Sequence, residues 1–194
     1  MKSYTELYEI AASDGMKPSR LQHSVGVATT AKFLLERFGY DGNPGLIAGI
    51  FHDWYRYVTD LDALKEIQRA LFKAEPEEIS NPMLLHGAVA AIHMREIVGE
   101  DTPDEYLTAV RWHTLGSPDM GILGAAIYVA DFAEPGRKHL EDEEKHYILS
   151  MDSLEEMVLY ILRQQDEYFK RTGKKGAQIT GCLKAFLEAG NRFN

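Results

Sequence analysis

Asn43-Pro-Gly-Leu-Ile-Ala-Gly-Ile-Phe-His-Asp-Trp-Tyr-Arg-Tyr57 is apolar for half its length, then sets an imidazole beside a carboxylate at His52-Asp53. Asn43-Pro44 has the form of an N-cap with proline at the first helical position, so a helix is expected from there to about Tyr57. Two strongly polar groups in such a stretch must be hydrogen-bonded, paired or bound to something, because bare burial of polar or charged groups is costly.

The neighbouring segments read the same way. Asn81-Pro82 repeats the opening signal and predicts a helix to Val98, closed by Gly99. Asp60 starts another, with Leu61, Leu64, Ile67 and Leu71 in helical rhythm to Phe72. Thr102-Pro103 opens a helix that stops near Gly116, and further helices are expected over 3–13, 19–38, 119–134, 152–172 and 179–190. The acidic run Glu141–Glu144 reads as a solvated helix start. No strand pattern, repeat or linker interrupts this, so the expected architecture is all-α: a single domain, 1–194, of about eight to ten helices.

Four more candidate ligands lie in or beside apolar helical segments: His23, His86, His113 and Asp131. A metal centre inside a helix bundle needs its side chains in such places. Imidazole nitrogen with carboxylate oxygen suits divalent first-row metals: iron, manganese, cobalt or zinc. A single histidine on an apolar helix is more often a satisfied core residue, but that plainer reading must be invoked separately for five segments. His93, His139 and His146 are left outside the site, His93 because it lies near a helix end and the others because they flank the acidic run.

The chain has 194 residues, 45% hydrophobic and 26% charged, the profile of a globular protein with a sizeable core. A net charge of −9 argues against nucleic-acid binding, which needs a basic face. One cysteine, Cys182, supplies neither a disulfide nor a thiolate cluster. With no targeting segment and no apolar run of membrane length, a cytoplasmic location without a membrane partner is expected.

The ordered set His23, His52-Asp53, Asp131 resembles the H…HD…D signature of the HD-domain metal-dependent phosphohydrolases. The resemblance extends to Arg20-Leu-Gln-His-Ser-Val-Gly-Val27, Ala48-Gly-Ile-Phe-His-Asp53, Leu85-His-Gly-Ala88, Arg111-Trp-His-Thr-Leu-Gly116 and Ile127-Tyr-Val-Ala-Asp-Phe-Ala-Glu-Pro-Gly-Arg137. Together these are similar to the bacterial symmetrical bis(5′-nucleosyl)-tetraphosphatases of the YqeK type, with a motif-bearing core over about 17–137 and C-terminal helices over about 150–190. The resemblance implies an HD-domain helical bundle with an interior iron site of one or two ions, splitting diadenosine tetraphosphate into two ADP. It implies His23, His52, Asp53 and Asp131 as metal ligands, and His86 and His113 as ligands of a second metal or as phosphate-binding groups. Arg137 is implied to bind phosphate, and Arg56 stands where the family commonly has lysine. Gly173–Thr180 falls where the family has a nucleotide-contacting loop.

The expected chemistry is attack on an inner phosphorus by hydroxide, which metal coordination makes available by lowering the pKa of water from about 15.7 to about 7. Asp53 or Asp131 would take the proton or orient the water. Arg20, Arg56 and Arg137, with Lys174 and Lys175 at the rim, are the cations expected to offset the substrate's charge. Trp54, Tyr55, Tyr57, Trp112 and Tyr128 are candidates for base stacking. The partner is thus a small dinucleoside polyphosphate or nucleotide, with a homodimer left open. The rival readings are an HD-type hydrolase of a nucleoside monophosphate or signalling nucleotide, a di-iron oxygenase, and an inactive nucleotide sensor.

Overall fold

In the computed structural model, which describes residues 1–194, eleven α-helices account for all the regular structure apart from one 3-10 turn. They are α1 (Tyr4–Ser13), α2 (Pro18–Arg37), α3 (Asn43–Phe51), α4 (Asp60–Arg69), α5 (Pro76–Ser80), α6 (His86–Val98), α7 (Asp104–Trp112), α8 (Gly121–Ala133), α9 (Asp142–Ser150), α10 (Leu154–Thr172) and α11 (Gln178–Glu188). The 3-10 turn, Pro82–Leu85, leads into α6. No helix is long and apolar enough to cross a membrane.

α8 is apolar on every side, the pattern of a helix enclosed by others. Residues 123–130 of it are all buried. α2, α3, α7 and α10 surround it, and their apolar faces join one core that includes Val27, Leu34, Ile47, Phe51, Val110, Met157 and Ile161. A smaller cluster, Ala63, Ile67, Leu85, Ala88 and Val89, joins α4 to α6.

The packing of α2 on α3 is set by small residues. A Cβ at Gly49 would lie 2.4 Å from the Ala28 Cα, and one at Gly45 would lie 2.8 Å from the Lys32 backbone nitrogen. Backbone therefore meets backbone, and the His23 and His52 rings come within 5.2 Å, centroid to centroid.

Several helix ends differ from the sequence reading. Asn43 is not the cap of α3; it is the first helical residue, and its N–H is taken by the Asp41 carboxylate at 3.0 Å. α3 also stops at Phe51 rather than Tyr57. Beyond it the chain tightens into three-residue turns, with Trp54 N–H on Phe51 O and Arg56 N–H on Asp53 O. The stretch expected as one helix from Asn81 opens as the 3-10 turn Pro82–Leu85 and becomes α-helical only from His86, as α6; α5 ends just before it at Ser80, and Pro82 cannot donate into a helix continuing from α5. Thr102 does not cap α7; its hydroxyl donates to Gly99 O. α4 ends at Arg69, and Leu71 takes a positive φ of 51° in the turn that follows. The acidic run does open a helix, α9. It brings the count with α5 to eleven, above the expected range.

α5 is five residues long and cannot stand on propensity alone. It is tied down by Glu78, fully buried, which receives both terminal nitrogens of Arg111 on α7, one of them at 2.6 Å. Arg111 in turn lies over the Trp112 ring at 4.1 Å. Removing one partner of such a buried, bidentate pair leaves a charge stranded. Glu78→Ala is expected to lower the stability of the protein by about 3–5 kcal/mol in denaturant melts. Replacing Glu78 and Arg111 together by apolar residues of similar volume should cost less than that single change.

Candidate metal centre

Three of the candidate histidines stand in equivalent local positions. His52, His86 and His113 each occupy the residue that ends a helical segment: α3, the 3-10 turn and α7. Each turns its Nδ1 back onto the carbonyl three residues earlier, at Gly49 (2.7 Å), Met83 (2.8 Å) and Val110 (2.7 Å). A carbonyl only accepts, so every Nδ1 must carry the proton, and a neutral ring then presents a bare lone pair at Nε2. Helix ends thus serve twice: the ring satisfies an orphan carbonyl and points its donor atom inward.

His23 reaches the same state by another route. It lies inside α2, and its Nδ1 meets Oε1 of Glu134 at 3.0 Å. Its Nε2 is buried 2.9 Å from Asp131 Oδ1, without the alignment of a hydrogen bond. The Nε2 of His52 is likewise buried and unpartnered, 3.3 Å from Asp53 Oδ2 and 3.6 Å from Asp131 Oδ1. Across the cluster, Nε2 of His86 and Nε2 of His113 face each other at 3.0 Å, with the Thr114 hydroxyl 3.0 Å from His113 and 3.3 Å from His86.

Asp53 joins the two sides. Its Oδ1 lies 3.1 Å from His86 Nε2 and 3.8 Å from His113 Nε2. Its Oδ2 faces His52 and His23 and accepts from Arg20. Two groups of donor atoms result, His23–His52–Asp131 and His52–Asp53–His113, each with its atoms within 4.8 Å of one another and sharing His52. Converging lone pairs and carboxylate oxygens repel unless a cation lies among them, so the donor set fits a divalent metal, in one position or two.

The titration behaviour says the same. Burial drives Asp53 toward neutrality, but the facing imidazoles of His52, His86 and His113 outweigh it and hold the carboxyl well below its usual range. Asp131 is held low against its burial by His23, His52 and Arg137. Burial also disfavours a charged His52, yet Asp53 and Asp131 push it up to about 10. His113 is driven down to about 3 by burial and by its neighbours His86 and His52. In the metal-free protein a proton on His52 therefore stands in for a metal cation.

The remaining candidates are distributed unevenly. Arg137 curls onto Asp131, donating to its backbone carbonyl and to Oδ1, so it holds a proposed ligand rather than pointing into open space. Arg56 is half-buried, makes no ion pair and donates only to the Met83 sulfur at 3.9 Å; it lines a cavity of about 480 Å³ with Arg20, Tyr57, Asp60, Asn81, Met83 and His86. A second cavity, about 300 Å³, shares Arg20 and Tyr57 with the first and is lined also by Asp14, Lys17, Asp53 and Trp54. Lys174 and Lys175 are exposed, and Lys174 donates to the Tyr168 hydroxyl; no contact joins either to the cluster. Of the aromatic candidates, Tyr128 is buried on Gln165, Tyr55 stacks on His93, and Tyr57 is open to solvent beneath the Lys17 ammonium. His93 is occupied by Glu66 and Glu96, and His139 and His146 are exposed.

Sequence reasoning gave no role to two participants. Glu134 lay inside a quoted motif, and its signal is an acid three residues beyond Asp131 at the end of an apolar helix. Thr114 follows His113 directly; nothing in the sequence distinguishes its hydroxyl from any other.

An all-helical protein whose interior gathers four imidazole lone pairs around two carboxylates has the construction of a metal-dependent hydrolase. Residues 20–180 match the HD domain, and the chain belongs to the HD-domain family. It is 32% identical over 160 residues to a Bacillus subtilis protein named bis(5′-nucleosyl)-tetraphosphatase, symmetrical, covering 79% of this chain and 85% of that one. A Halalkalibacterium halodurans protein of the same name is 34% identical over 119 residues, covering 61% of this chain and 63% of that one. Among solved structures, a protein from Clostridium acetobutylicum described as a predicted HD superfamily hydrolase involved in NAD metabolism superposes with a TM-score of 0.88. It is 26% identical, and the alignment covers 98% of this chain and all of that one.

A divalent metal bound at His52 would have to displace the proton that the two carboxylates favour there. Affinity should therefore climb as pH rises toward about 10, where that proton leaves unaided. Metal titrations at successive pH values from neutral to 9 are expected to tighten by about tenfold per unit where one proton is displaced. A flat profile would contradict competition at His52.

Proposed function

We propose that the protein hydrolyses diadenosine tetraphosphate symmetrically, giving two ADP, at an iron-containing centre for which manganese, cobalt or zinc can substitute. In this reading His23, His52, Asp53 and Asp131 hold one metal, and His86 and His113 with Asp53 hold a second. The names of the relatives support the substrate. The observation that carries the reading is the guanidinium of Arg56, which has no acidic partner and lines a cavity together with Arg20 and His86.

A divalent metal held by those ligands would act as a Lewis acid on a phosphate oxygen and would make water acidic enough to attack near neutral pH. The chain's own residues do the rest. Arg56 and Arg20 meet phosphate oxygens with planar, charge-assisted hydrogen bonds, which position the polyphosphate as well as attract it. Their charge offsets repulsion between a polyanion and a protein of net charge −9. Asp131 receives the proton of the attacking water at Oδ2, since its ion-pair contacts to His23, His52 and Arg137 all run through Oδ1. The water oxygen bonds to an inner phosphorus, the central P–O–P bridge breaks, and the departing ADP keeps the bridging oxygen. Arg137 keeps Asp131 in place during this exchange.

Two cavities that share Arg20 and Tyr57 suit a substrate with two nucleoside ends and one charged middle. A nucleoside monophosphate would use only one of them.

Incubating the protein with diadenosine tetraphosphate and ferrous or manganese ion is expected to give ADP as the sole nucleotide product on anion-exchange chromatography. ATP with AMP would overturn symmetrical cleavage. Arg56→Met is expected to raise KM by about tenfold or more, the worth of a charged hydrogen bond, with metal content unchanged; an unaltered KM would remove Arg56 from phosphate binding.

A further inference from the structure

Glu134 is 3% exposed, although it sits at the end of α8 where the chain turns toward the surface. Its two oxygens are both committed. Oε1 accepts from His23 Nδ1 at 3.0 Å, and Oε2 accepts the backbone N–H of Gly136. Lysines and arginines are absent from its ion pairs; the His23 imidazole is its sole partner of that kind.

His23 is the exception among the clustered histidines. The other three end helical segments, where a carbonyl is free to accept from Nδ1. His23 lies in the first half of a twenty-residue helix, where the carbonyls behind it serve the helix itself. Something else must accept from its Nδ1, and the acceptor is an anion supplied by a different helix.

The chain keeps space for that anion at two positions. A Cβ at Gly26 would lie 2.4 Å from Glu134 Oε2, and one at Gly136 would lie 2.9 Å from the same atom. Gly26 is one turn along α2 from His23, so the helix that carries the imidazole also carries the notch that admits its partner.

We propose that Glu134 is a positioning residue of the metal centre: through His23 it sets the metal affinity of the His23–His52–Asp131 position. The inference rests on the reading of His23 as a metal ligand. A carboxylate accepting from Nδ1–H fixes the tautomer that leaves Nε2 bare, and its negative charge makes that nitrogen a stronger donor than a neutral carbonyl would. Glutamine cannot replace it. Its single amide oxygen can serve His23 or Gly136, not both. If the amide nitrogen faces His23, Nδ1 becomes the acceptor and the ring proton moves to Nε2, the atom the metal needs.

The experiment is titration of the full-length, metal-free protein with cobalt(II), followed by visible absorption, alongside thermal melts of the same samples. Glu134→Gln is expected to weaken cobalt binding by about 10–100-fold. Gly26→Ala keeps the carboxylate but pushes it off His23, and is expected to weaken binding in the same direction. The three atoms nearest its added methyl all belong to the Glu134 side chain, so it tests the contact without depending on how Glu134→Gln folds. A purely structural role would lower the melting temperature and leave the cobalt affinity of the folded protein alone, which overturns the proposal. So would weakening in Glu134→Gln without weakening in Gly26→Ala. His52→Ala separates the two readings. If it loses cobalt while both Glu134→Gln and Gly26→Ala bind as the parent does, the metal centre stands and the role of Glu134 falls; if it binds as the parent does, the metal centre itself is wrong.

Discussion

Two carboxylates, the buried Asp53 and the half-buried Asp131, converge on the same imidazoles inside a helical bundle, and most of what is unusual in this chain answers that fact. An isolated buried carboxylate costs several kcal/mol even after the protein relaxes. The interior meets the cost with imidazoles on four segments and guanidinium groups from Arg20 and Arg137. The balance is deliberately incomplete. The Nε2 atoms of His23 and His52 make no hydrogen bond, and those of His86 and His113 face each other, an arrangement suited to a cation.

The site is built where helices stop. Had α3 and α7 continued by another turn, the carbonyls of Gly49 and Val110 would be taken by backbone N–H groups, and their histidines would have had to find other anchors. Ending a helix at a histidine links folding to chemistry: the residue that terminates the segment is fixed in orientation by the carbonyl it satisfies. His23, placed mid-helix, lacks that option and borrows an acid instead.

Much of this could be read from the amino-acid order. Helical rhythm and Pro, Gly and Asn punctuation located nearly every helix, because those signals are local. The ligand set was visible because His52-Asp53 and Asp131 stand out against apolar neighbours, where polar residues have no ordinary reason to be. What could not be read depends on distance in the fold. Nothing local tells that Arg137 folds back on Asp131 while Arg56 stays free, or that Glu134 meets a residue 111 positions away. Nor does periodicity distinguish a helix that ends at Phe51 from one that runs on to Tyr57, since the tight turns beyond it keep the chain in nearly helical conformation.

The seam between α2 and α3 carries an implication for sequence variation in this chain. Gly49 touches neither a carboxylate nor an imidazole through a side chain, and a survey of polar positions would pass over it. Yet one methyl group there would act as a wedge against the Ala28 backbone and lever His23 away from His52. A heritable loss of the centre can thus arise at a position that contributes only backbone to it, and the replacement would look conservative.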